Sequence, residues 1–106
     1  MVGSRHEGRR LGFAVVRGES MSPTLSPGDR LLVRYGAAPA PGRVVVARFA
    51  TGTVAVKRIA ERRDQGWWLL SDNAEAGEDS RARGAVPEDD VLAVVLLRVW
   101  PRPRLL

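Results

Sequence analysis

The run Arg43-Val44-Val45-Val46-Ala47-Arg48-Phe49-Ala50-Thr51-Gly52-Thr53-Val54-Ala55-Val56-Lys57-Arg58-Ile59 decides the fold class. Two β-prone segments, 43–49 and 53–59, flank Thr51-Gly52, a short turn after which strand signals resume at once, so the run reads as a hairpin. The continuous apolar centre Val44-Val45-Val46 implies a strand buried on both faces. In the second segment, alternation puts Lys57 on the face of Ala55 and Ile59, with Arg58 pointing the other way.

Further strands follow on both sides of this hairpin. Residues 11–16, 30–35, 67–70 and 90–100 are apolar and β-prone, and no stretch has sustained helical periodicity. Gly36 to Gly42 is a Pro/Gly-rich loop. Residues 71–87 are polar and of a length at which an ordered loop is usually functional. The expected fold is mostly β: a small, coiled, largely antiparallel sheet domain with barrel-like closure. Its expected organisation is a loose arm over 1–10, a single domain over 11–100 and a tail over 101–106.

The 106 residues make one domain, large enough for a real core, and leave no room for a second. There is no cysteine, which excludes disulfides, thiol nucleophiles and cysteine-ligated metals, and no metal or cofactor site is read. The single histidine, His6, lies in the polar N-terminal arm, so a Ser-His-Asp triad has almost no material. The net charge of +5 comes from scattered Arg rather than a stripe, so no nucleic-acid partner is expected. No apolar run approaches the roughly 20 residues of a spanning helix, and no targeting signal is present, so a soluble, cytoplasmic protein is expected.

Two features carry chemistry. Gly18-Glu19-Ser20-Met21-Ser22-Pro23-Thr24-Leu25-Ser26-Pro27-Gly28-Asp29 puts a hydroxyl between a strand end and a forced turn, where a nucleophile can meet a substrate. Lys57 is the only lysine among 17 basic residues. Arg cannot release its proton at a useful pH, whereas a lysine on an apolar face has its pKa lowered and can act as general base. Against this, a strand lysine can snorkel to water, and Ser22, Ser26, Ser71 and Ser80 compete as hydroxyls.

Ser20-Met21 with Pro23-Thr24-Leu25, Gly28-Asp29, Lys57-Arg58-Ile59, Asp72-Asn73 and Asp79-Ser80-Arg81 with Gly84 and Val86-Pro87 resemble, in order, the boxes of type I signal peptidases, Ser/Lys proteases of the S26 group. The resemblance implies Ser20 as acyl nucleophile and Lys57 as general base, with Ser80 orienting the amine. Asp79 and Arg81 would form a structural ion pair beneath the site, and Met21 would pack beside the nucleophile. Many members carry a hydroxyl oxyanion donor two residues before the nucleophile. That position is Gly18 here, which leaves the oxyanion to backbone N–H groups such as that of Ser20. Signal peptidases usually also have membrane segments and a large inserted β-domain, and this chain has neither.

A short chain with a Trp-Trp strand and an Arg/Pro-rich end is most similar to the maturation proteases of nickel-type superoxide dismutase. That implies a protein substrate, the dismutase precursor, from which an N-terminal pro-segment is removed. The substrate would pair in extended form with the edge of residues 11–18. One alternative is a repressor-type autoprotease domain, against which only 19 residues precede Ser20. Others are an inactive scaffold and a nucleic-acid-binding β-barrel that stacks bases on one of Trp67 and Trp68.

Overall fold

The computed structural model describes residues 10–106. The expected arm, with His6, therefore lies almost wholly outside the described residues. The strands are β1 (Leu11–Val15), β2 (Arg30–Tyr35), β3 (Val44–Arg48), β4 (Val54–Arg63), β5 (Gly66–Leu70), β6 (Val91–Trp100) and β7 (Arg104–Leu105). A one-turn helix, α1 (Ser80–Arg83), and a 3-10 turn (Glu88–Asp90) lie between β5 and β6. Every pairing is antiparallel, in the order β1-β2-β6-β3-β4-β5, with β7 added to β6.

The long strand β6 is central because nothing on it before Arg98 resists burial. The β3–β4 hairpin forms as the sequence implies. Phe49 N–H donates to Thr53 O at 2.9 Å, and Gly52 N–H closes the turn on Phe49 O at 2.8 Å. β4 runs on to Arg63, beyond the expected end at Ile59, because Glu61, Arg62 and Arg63 pair with Trp68, Trp67 and Gly66.

Apolar alternation builds two cores on opposite faces of this sheet. One contains Val16, Met21, Leu25, Leu31, Val33, Val44, Ala93 and Val95. The other contains Val45, Ala47, Phe49, Ile59, Trp67, Leu69, Val86 and Val94. The neighbours Val44 and Val45 on β3, and Val94 and Val95 on β6, face opposite cores, which is why those strands read as unbroken apolar runs. Each fully buried Leu, Val or Met contributes roughly 1.5–3 kcal/mol. Trp67 is core, and Trp68 covers the sheet edge with the Arg63 guanidinium 3.6 Å over its ring.

The sheet is antiparallel throughout, as expected, but it does not close into a barrel. β1 and β5 are its two ends and are not paired with each other among the described residues. The segment read as a tail folds back, pairing Leu105 with Leu97 and Arg104 with Arg98. Among the described residues β1 is an edge strand, with β2 its one partner.

Candidate functional site

Five polar or charged residues are buried among those described, and four of them, Lys57, Ser71, Asp79 and Ser80, stand in one place. Burying such groups is costly unless they are paired, so their clustering marks a built site.

Lys57 is 2% exposed. As alternation requires, it shares its face with Ile59, a member of the second core, and with Ala55, which packs on it. Its amine donates to Ser71 Oγ at 3.0 Å. Desolvation lowers its pKa from the ordinary 10.5, and the Asp79 carboxylate opposes the shift without reversing it. Ser71 is held in turn by its backbone N–H, which donates to Asp79 Oδ2 at 2.9 Å. Burial works against the Asp79 charge. Even so, the Arg81 guanidinium, at 2.9 and 3.0 Å, and the N–H groups of Ser71 and Arg81 bring the carboxyl from 3.8 to about 2. Arg81 and Asp79 form the ion pair the sequence implied.

Ser80 differs from its expected role. Its hydroxyl accepts from Leu69 N–H at 2.9 Å and makes no hydrogen bond to the lysine, whose amine donates to Ser71 instead. It opens α1, whose N-cap is Asp79, and this points its side chain at the β5 backbone. The hydroxyl on the lysine belongs to Ser71.

Ser20 sits in the turn after β1, half-buried, and its hydroxyl makes no hydrogen bond among the described residues. Leu25 N–H donates to Met21 O at 2.8 Å within this turn, and Met21 is buried in the first core directly after the serine. The N–H groups of Gly18 and Ser20 find no acceptor among the described residues, so both stay available as donors. Gly18 has φ +73 with open space around its Cα.

The turn is tied to the 71–73 loop. Asn73 N–H donates to Ser20 O at 2.8 Å, its side-chain amide reaches Glu19 O at 3.2 Å, and Thr24 Oγ1 donates to Asp72 Oδ2 at 2.5 Å. Asp72 also accepts from Nε and Nη2 of Arg58, each at 2.8 Å. One carboxylate thus clamps the serine turn to the strand that carries Lys57. These contacts hold the Asp72 pKa below its usual value, the Arg58 bond contributing most.

Gly77 brings the serine and the lysine together. A Cβ there would lie 2.9 Å from Ser20 Cβ, 3.4 Å from Lys57 Nζ and 3.7 Å from Ser20 Oγ, so both polar atoms flank the same point. With φ +71, the position also favours glycine on backbone grounds. A cleft of about 420 Å³ opens beside them, lined by residues 14–21, the start of β4, Phe49, Glu78 and Arg83. Arg83 pairs with Glu78 and donates to Thr51 Oγ1, linking the Gly77 loop to the β3–β4 turn. A buried amine with a lowered pKa, beside an unbonded hydroxyl in an apolar cleft along a sheet edge that is unpaired among the described residues, can perform acyl transfer on an extended peptide.

Sequence reasoning listed Ser71 as a competing hydroxyl and Asp72 as part of a polar supporting loop, but foresaw neither the lysine contact of the first nor the clamp of the second, and it did not single out Gly77. The register of the β4–β5 hairpin signals the first, since Arg58 opposite Leu70 brings Lys57 beside Ser71.

In comparison with known families, residues 2–94 match the Peptidase S24-like family, which makes this a peptidase-type domain. No curated protein matches the chain. No helix among the described residues is long and apolar enough to cross a membrane.

Proposed function

This chain belongs to the Peptidase S24-like family, and on that footing we propose that it is a serine endopeptidase with Ser20 as nucleophile and Lys57 as general base. The observation that carries the reading is the burial of the only lysine at the point it shares with an unbonded serine hydroxyl.

A neutral amine that gives one N–H to Ser71 keeps its lone pair for the serine proton. Ser20 Oγ attacks the scissile carbonyl carbon as its proton passes to Lys57 Nζ. The oxyanion is held by the Ser20 N–H, in a cleft where such a bond is stronger than in water. The C–N bond then breaks, and the ammonium returns the proton to the departing amine. Water attacks the acyl-enzyme, gives a proton to Lys57, and the ester opens as that proton returns to Ser20. Gly18 leaves room beside the oxyanion. Met21, Asp79, Arg81 and Ser80 hold the frame, the last through the β5 backbone rather than the amine.

The substrate fits as an extended segment added to the edge of β1 that is unpaired among the described residues. Following the resemblance to the nickel-type superoxide dismutase maturation proteases, the proposed substrate is the N-terminal pro-segment of that precursor, cleaved in the cytoplasm. The test is mass spectrometry of the apo-precursor and of a mixed peptide library, each incubated with the wild type and with Ser20→Ala. Loss of a defined N-terminal segment with the wild type alone supports both dyad and substrate. Cleavage of library peptides but not of the precursor removes the substrate and keeps the peptidase. Cleavage by the folded Ser20→Ala protein refutes the nucleophile.

A further inference from the structure

Large apolar side chains exposed to solvent are not scattered over this protein. Of the six among the described residues, five (Leu11, Phe13, Val15, Trp100 and Leu105) belong to β1, β6 and β7. The register joins them into one surface. Phe13 lies opposite Leu32, Leu32 opposite Leu97, and Leu97 opposite Leu105, an apolar row across four strands. Beside it, Val15 lies opposite Arg30 and Arg30 opposite Trp100. The ends of the first row are the most exposed, Phe13 at 72% and Leu105 at 80%. A contiguous apolar face of this kind marks a contact surface.

Its charge names the partner. β1, β2, β6 and β7 contain no Asp or Glu. Arg30 and Arg34 stand on the apolar face by register, and Arg102 is exposed in the turn that joins β6 to β7. The Arg30 guanidinium lies 5.0 Å over the Trp100 ring, which pairs a cation with an aromatic side chain at the patch edge. Apolar and aromatic side chains that can enter a headgroup layer, interleaved with arginines that meet its phosphates, fit an anionic lipid surface. A second copy fits worse, since a two-fold contact would set Arg30 and Arg34 against their own images with no acid on these strands to neutralise them.

We propose that this face of β1-β2-β6-β7 docks the protein peripherally on an anionic membrane. Val15 belongs to the face and also lines the cleft, so docking would hold the cleft at the lipid surface. The proposal does not depend on the peptidase reading.

The test is co-sedimentation of the full chain with phosphatidylglycerol/phosphatidylcholine vesicles and with phosphatidylcholine vesicles alone. The wild type should partition onto the anionic vesicles, with binding weakened by salt. Phe13→Asp and Leu105→Asp, both at exposed positions, should each bind at least about tenfold less, while Ala38→Asp in the β2–β3 loop should not. Arg30→Gln and Arg34→Gln should each cost about fivefold, the share of one arginine at an anionic surface. Circular dichroism checks that every variant is folded. Equal binding by folded Phe13→Asp, or no binding by the wild type, overturns the proposal. So does a wild-type dimer in sedimentation that Phe13→Asp dissolves, or salt-sensitive binding to single-stranded DNA in place of vesicles.

Discussion

Replacing Gly77 by alanine separates backbone strain from active-site geometry. At φ +71 any side chain pays the left-handed cost, about 1–2 kcal/mol. Gly36 has the same φ, +71, with nothing within 4 Å of a new Cβ. Gly36→Ala and Gly77→Ala should therefore lose similar backbone stability in urea denaturation. Only Gly77→Ala also drives a methyl to 2.9 Å from Ser20 Cβ and 3.4 Å from Lys57 Nζ. Contact at 2.9 Å cannot stand, so the serine or the loop must shift by several tenths of an ångström. A misplacement of order 1 Å at a reacting centre costs on the order of 100-fold in rate. Against the best peptide from the library, Gly77→Ala should cleave roughly 10- to 100-fold more slowly than Gly36→Ala, which should match the wild type. Equal rates in the two variants would refute the idea that Gly77 sets the approach of Ser20 to Lys57.

Lys57→Met should abolish cleavage and stabilise the fold at pH 7. The folded pKa lies below 10.5, so between the two values the unfolded chain binds more protons and wild-type stability rises with pH. The advantage of the methionine variant in urea denaturation should accordingly shrink as pH approaches 10.5. Ser71→Ala removes the one hydrogen bond on the amine without touching the cleft lining. Steady-state kinetics should show kcat reduced about tenfold with KM little changed. Asp79→Asn should cost about 2 kcal/mol at pH 7, the value of moving a carboxyl from 3.8 to about 2. That contribution is present above pH 3.8 and lost as pH falls through about 2, so the two denaturation midpoints should converge in acid.

The hairpin, the central strand and the face on which Lys57 stands were legible because period-two alternation is local. Ser20, Asp79 and Arg81 were singled out only through a resemblance to the ordered boxes of type I signal peptidases. The partner of the amine was not, and the reason is a single residue. The β4–β5 ladder is regular from Ile59 down to Arg58 but shifts register between Ile59 and Glu61. Without that bulge, Lys57 would face Asp72 and meet a carboxylate rather than a hydroxyl. No local propensity announces where a bulge falls. Barrel closure was over-read for a related reason: alternation reports that strands coil about a core, and only long-range pairing decides whether the first strand meets the last. The role of Gly77 likewise depends on a tertiary approach between two loops that share no sequence signal.

Because Lys57 is the only lysine in the chain, selective 13C labelling at lysine Cε gives one side-chain resonance that needs no assignment and no substrate. Its titration tests the proposed general base directly. The account predicts a midpoint clearly below 10.5, with cleavage rate rising through the same pH range. A midpoint at or above 10.5 would mean that the amine is charged wherever the fold is stable, and the Ser20–Lys57 mechanism would fall.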